Sequence, residues 1–190
     1  FQKLSERGLL RPGFKALCVG AGSGHSVLAL RENGLPDAIG IDRKSFAPQV
    51  RRGDIHRLPF AHDSFDFVFS ASFDRALVPA LLASEVERTL KTGGVAAMLV
   101  SPRRLNVGNA INPFYSLSPV VALFRNSDVV HVTQVGPPNA HDATVIVLRK
   151  LPFGSSKSLG LEQEYSWSKQ NRSLVKLAEP LTMDHGNAIY

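Results

Sequence analysis

Between residues 15 and 100, short apolar runs alternate with stretches of helical spacing. Residues 15–19 form an apolar run that ends in glycines, which predicts a first strand. Residues 23–32 place Val27, Leu28 and Leu30 on one side and stop at Asn33-Gly34, which predicts a helix. Residues 38–41 predict a second strand and residues 49–52 a very short third. Residues 65–70 are rich in aromatic and β-branched side chains and predict a fourth. Residues 77–90 return to helical spacing and end at Lys91-Thr92-Gly93-Gly94, a stop signal. Residues 95–100 are apolar throughout, as a strand covered on both faces would be.

Strands alternating with helices predict an α/β fold with a doubly wound, mostly parallel sheet. Residues 129–134 and 143–148 are two further strand-like runs. Gly136-Pro137-Pro138-Asn139 lies between them, so they predict an antiparallel hairpin closing one edge. Residues 102–126 read as a loop with a partial helix near 119–124. Residues 151–190 lose periodicity. The expected organisation is one domain over 1–150 and a partly irregular extension over 151–190, with a short helix at 173–177.

A chain of 190 residues with 44% hydrophobic and 20% charged residues is long enough to bury a core and is not of the disordered class. No apolar run approaches the roughly 18 residues of a membrane helix, so no membrane partner is indicated. Cys18 is the single cysteine, which excludes an internal disulfide and a cysteine-built metal site. The net charge is +6, and the basic residues stand as singles and short pairs such as Arg51-Arg52 and Arg103-Arg104. A nucleic-acid surface requires clustering, so a basic but inert surface is the expectation. The chain begins at Phe1 rather than methionine, so a targeting or anchor segment could precede it; a location on the cytoplasmic side is expected.

The main chemical signal is Leu17-Cys18-Val19-Gly20-Ala21-Gly22-Ser23-Gly24, which follows a strand and opens a helix. Glycines there permit a tight turn and let a ligand lie directly against backbone. The dinucleotide fingerprint needs its third glycine at position 25, which is His25, and no G-K-[ST] follows for a phosphate loop. Asp42, about 20 residues on at the tip of the second strand, can accept two ribose hydroxyls; its alternative role is a helix cap. Arg52-Gly53-Asp54-Ile55-His56-Arg57-Leu58-Pro59-Phe60 places Asp54 at the end of the third strand. A carboxylate there can accept from an adenine amino group, and Ile55 offers a backbone N–H and an apolar side.

Taken in order, these segments resemble the class I S-adenosylmethionine-dependent methyltransferases of type 11, which have a Rossmann-like fold. The resemblance continues through Asp63-Ser64-Phe65-Asp66-Phe67-Val68-Phe69-Ser70 and Glu85-Val86-Glu87-Arg88-Thr89-Leu90-Lys91-Thr92-Gly93-Gly94, and covers about residues 15–101. Ser72-Phe73-Asp74-Arg75-Ala76-Leu77 is similar to a subgroup of plant proteins. The resemblance implies S-adenosylmethionine as cofactor and methyl transfer to an unidentified acceptor, with a small molecule expected and nucleic acid not. It implies that Gly20, Ala21, Gly22 and Gly24 face the methionine part, Asp42 the ribose, and Asp54 and Ile55 the adenine. Ser70 would sit near the sulfonium. Two departures stand out. Cys18 occupies a position where the family usually has an acidic residue that helps hold the glycine loop. The link from Asp42 to the third strand is too short for the usual helix.

Methyl transfer needs positioning more than a nucleophile, and a base only where the acceptor must lose a proton. Asp74, just past the fourth strand, is the candidate base or substrate anchor; a helix N-terminal carboxylate is its structural alternative. His25 is expected as a cap, and His56 and His62 as loop histidines. Trp167 and Tyr165 belong to the extension. The competing readings are a catalytically degenerate cofactor-binding module and a nicotinamide-dependent oxidoreductase, the latter disfavoured by His25.

Overall fold

The computed structural model describes residues 1–100, 117–135 and 143–155. Four helices and seven strands are found among them: α1 (Gln2–Glu6), β1 (Ala16–Val19), α2 (His25–Glu32), β2 (Ile39–Asp42), β3 (Val50–Arg52), β4 (Phe65–Ser70), α3 (Pro79–Thr89), β5 (Leu90–Val100), α4 (Leu117–Leu123), β6 (Ser127–Val135) and β7 (Ala143–Lys150). The strands make one sheet in the order β3-β2-β1-β4-β5-β7-β6. β1 to β5 are parallel, and β7 runs antiparallel between β5 and β6. This is the mixed sheet the sequence predicts, with the hairpin at one edge.

The sheet is covered on both faces, which explains the unbroken apolar strands. On one face Val27 and Leu30 of α2, with Leu4 of α1, pack against Ala16, Cys18, Phe67 and Ala97. On the other, Leu82 and Val86 of α3 and Val120 and Phe124 around α4 pack against Leu17, Ile41, Val68 and Met98. At ~25 cal/mol per Å² each of these larger side chains contributes about 1.5–3 kcal/mol.

Two boundaries differ from expectation. α1 has no strong periodic signal and is only five residues long. β5 starts at Leu90, directly after α3, rather than at residue 95. Leu90 pairs with Phe65 and Val95 with Phe67, so the register shifts between them. Gly93 takes φ 78° within this shift. The Lys-Thr-Gly-Gly segment is thus absorbed as an irregularity inside the strand instead of separating two elements. The predicted tail helix, Tyr165, Trp167 and the loop over 101–116 lie outside the described residues.

Candidate functional site

The first crossover places the glycine loop at the carboxyl end of β1, beside the tip of β2. Gly20 and Ala21 donate their N–H groups to the Ile41 carbonyl at 2.9 and 3.1 Å. Gly22 N–H donates to Asp42 Oδ2 at 2.8 Å. The two sequence signals are therefore one structural unit.

Gly20 and Gly22 are glycines for different reasons. A Cβ on Gly20 would stand 2.5 Å from Ser72 Cβ, so close approach of the segment after β4 requires it. Among the described residues a Cβ on Gly22 would meet nothing within 4 Å, although its φ of 55° is left-handed. Gly22 is bare backbone facing open space, where a ligand can lie. Gly24 precedes α2 and packs against Val50 of β3.

β2 and β3 pair with Asp42 opposite Arg52, and Gly53 N–H donates to the Asp42 carbonyl at 2.8 Å. That brings Asp54 to the same end of the sheet. Asp54 Oδ1 accepts the His56 N–H at 2.9 Å and meets His56 Nδ1 at 3.2 Å. The His56 N–H, helped by the imidazole and Arg43, holds the Asp54 carboxyl below the usual range against a modest opposing effect of burial. Both bonds fall on Oδ1. Ile55 packs against the core while its N–H makes no bond to a described residue.

Ser70 ends β4 and is fully buried; its Oγ accepts the Ser72 N–H at 3.3 Å. Ser72 Oγ donates to the Gly20 carbonyl at 3.0 Å, and Arg75 Nη2 lies 2.6 Å from the same hydroxyl. Asp74 sits half-buried in the 3-10 turn Phe73–Arg75 that follows. Gly20, Ala21, Gly22, Gly24, Asp42, Asp54, Ile55, Ser70 and Asp74 all lie at the carboxyl ends of β1 to β4.

Cys18 is buried in the core, and burial pushes its thiol up to about 12. It is neutral and offers no charge to the loop. The loop N–H groups have other acceptors, namely the Ile41 carbonyl and Asp42. The strand tip thus ties the glycine loop without a charge at position 18.

Sequence reading missed three supports. Ser72 clasps Gly20. His56 is no free loop histidine: its Nε2 accepts the Val78 N–H at 3.3 Å, joining the Asp54 turn to the start of α3. The third is the pair Glu85–Arg88. Arg88 bonds both Glu85 oxygens at 2.7 and 2.8 Å and donates to the Phe60 and Leu58 carbonyls at 2.7 and 2.9 Å, while Glu85 accepts the Leu58 N–H at 2.7 Å. This fastens the Asp54–Phe60 loop to α3. The spacing of Glu85 and Arg88 marks an i,i+3 helical pair, but nothing in the sequence says which loop they hold. No group of three or more potential metal-binding side chains is found among the described residues.

Residues 17–98 match the family model described as a methyltransferase domain. The matched segment runs from β1 into β5 and contains every residue of the site. A SAM-dependent methyltransferase from Aquifex aeolicus superposes with a TM-score of 0.63 at 16% identity, covering 79% of this chain and 89% of that one. The PH0226 protein from Pyrococcus horikoshii gives 0.62 at 18%, covering 78% and 87%. The [4+2]-cyclase SpnF gives 0.60 at 16%, covering 79% of each. Among curated proteins, no sequence matches. At 16 to 18% identity these structures show the shared fold.

Proposed function

We propose that this chain is an S-adenosylmethionine-dependent methyltransferase acting on a small-molecule acceptor. The observation that carries the reading is the 2.8 Å bond from Gly22 N–H to Asp42. It brings bare backbone and a carboxylate together at one lip of the crevice, with Asp54 beside them.

The residues fit an adenosyl sulfonium by their chemistry. Gly20, Ala21, Gly22 and Gly24 accommodate the methionine moiety against backbone. Asp42 keeps lone pairs for the ribose hydroxyls. Asp54 Oδ2 accepts the adenine amino group, and the Ile55 N–H donates to the ring. Ser70 borders the sulfonium. The bound cofactor supplies a methyl group already activated for displacement. Asp74 anchors the acceptor or takes its proton.

The fold alone does not fix the chemistry, since SpnF, a neighbour in fold, is named a cyclase. Calorimetry with S-adenosylmethionine, its demethylated product and NAD tests the site. Micromolar binding of the first two and none of NAD is expected. Binding of NAD alone, or of none of the three, overturns the reading. A metabolite screen for methyl transfer then separates an enzyme from a binding module without turnover.

A further inference from the structure

Basic residues of the segment 43–57 meet at one corner of the sheet. Arg43 and Lys44 leave the tip of β2, Arg51 and Arg52 lie on β3, and Arg57 follows in the next turn. β3 is the edge strand, and its register sets Arg51 opposite Ile41 and Arg52 opposite Asp42. All five are exposed. None makes a side-chain hydrogen bond or ion pair with a described residue. Two carboxylates lie beside the cluster; Asp42 accepts the Gly22 N–H and Asp54 the His56 N–H, and Arg43 acts on Asp54 through its charge.

Phe46 stands in the middle of this stretch and is 44% exposed. Its backbone is tied to Val50 by two hydrogen bonds, of 2.9 and 2.8 Å. The residue is therefore held beside β3 with its side chain partly exposed.

We propose that this corner is a docking surface for single-stranded nucleic acid. Five cations against two carboxylates leave this corner with a net positive charge, and a chain of phosphates relieves the repulsion among the cations along its length. The fixed aromatic ring supplies a stacking platform for a base. Neighbouring side chains on a strand point to opposite faces, so Arg51 and Arg52 flank the edge on both sides. A flexible strand bending over the edge reaches both; a flat lipid surface meets only one. The surface adjoins the crevice on its adenosine side, away from Asp74, so the docked strand need not be the methyl acceptor.

The test is fluorescence anisotropy of the whole chain with a labelled oligouridine of about 20 nucleotides, from about 50 to 200 mM salt. Micromolar binding is expected, with a log–log salt slope of about −3.5 if all five cations engage, or about a 100-fold loss across that range. The variant Lys44→Gln/Arg51→Gln/Arg52→Gln should bind more weakly with a slope near −1.4. Phe46→Ala should weaken binding and keep the slope, and the control Lys3→Gln/Arg7→Gln should change little. The proposal is overturned if the oligonucleotide fails to bind at low salt or if the triple variant keeps the wild-type slope. It is also overturned if vesicles with about 30% phosphatidylserine retain the protein while RNA does not. Cofactor titration is independent: its failure with RNA binding intact would sink the enzymatic reading and leave this one standing.

Discussion

At the amino ends of β1, β4 and β5, Asp66 accepts from Lys91 Nζ at 2.8 Å and from the Lys15 N–H at 3.0 Å. Asp63 accepts from Lys150 Nζ at 2.8 Å, and that ammonium also donates to the Leu90 carbonyl at 2.6 Å. At the carboxyl ends of β1, β2 and β3 the same residue types behave otherwise. Asp42 takes a backbone N–H, Asp54 uses one oxygen, and five nearby cations form no ion pair with a described residue. The first end closes its charges on one another and fastens strands. The second leaves acceptors and cations available, which is what a ligand site requires. Charge counting along the chain does not distinguish the two ends. Pairing in space does.

Between these ends stands the Glu85–Arg88 pair, which holds the loop carrying Asp54. Both side chains are mostly buried, at 17% and 23% exposure. Hydrogen bonds from Arg88 lead the effects that pull Glu85 below the usual carboxylate range, and Glu85 in turn raises Arg88. Arg88→Met leaves Glu85 without its cation and two carbonyls without a donor. The loss should be about 3 kcal/mol, a fall in melting temperature of about 8 °C. Cofactor affinity should fall as well if the loosened Asp54 loop holds adenine as proposed. A variant that loses stability while binding the cofactor as wild type would show that the fastening serves the core alone.

Next in size are Asp42→Ala and Gly22→Val. On its proposed role toward the ribose hydroxyls, removing the Asp42 carboxylate should cost about 2.7 kcal/mol of binding, or about 100-fold in affinity by calorimetry. A valine at Gly22 adds atoms on the open side, where no other described residue lies within 4 Å of its Cβ. Its backbone strain of about 1–2 kcal/mol is tolerable, so melting should shift by only a few degrees while binding disappears. Unchanged affinity in either variant would place the ligand elsewhere and break the contrast between the two ends.

Much of this was legible in residues 15–70. The run Phe65–Ser70 has strand composition and strand length, and the glycines before His25 mark a turn that only a strand-to-helix junction explains. The roughly 20-residue distance to Asp42 carried the site because a βαβ unit fixes that span. What stayed hidden depends on partners distant in sequence. Glu87 is buried and takes the Arg125 and Asn126 N–H groups and the Ser127 hydroxyl. A glutamate at that spacing reads as an ordinary helix position. Ser72 against Gly20 is likewise 52 residues apart. The basic corner draws on two adjacent pairs, Arg43-Lys44 and Arg51-Arg52, that β2–β3 pairing sets side by side.

The smallest expected effect tests the closed end by acid. The Asp63 carboxyl is held below its usual range chiefly by its bond to Lys150. At Asp66 burial works the other way, but Lys91 and the Lys15 N–H outweigh it, so that carboxyl is lowered too. A carboxyl whose folded value lies below its unfolded one binds fewer protons in the folded state. Its contribution is therefore present above the unfolded value, about 3.9, and is lost as pH falls through the folded one. Melting temperature should hold steady down to about pH 5 and decline below about pH 4. Both pairs are partly exposed, so each is worth about 0.5 kcal/mol at most. Lys91→Met and Lys150→Met should lower the plateau slightly and flatten the acid decline, as differential scanning calorimetry can measure. Asp54 is lowered as well, yet by a neighbouring backbone N–H and an imidazole rather than by a lysine pair. Its share of the acid decline should survive both substitutions. If the two lysine variants kept the full wild-type decline, the amino-end pairs would not be closed in solution, and the two ends of the sheet would no longer differ in kind.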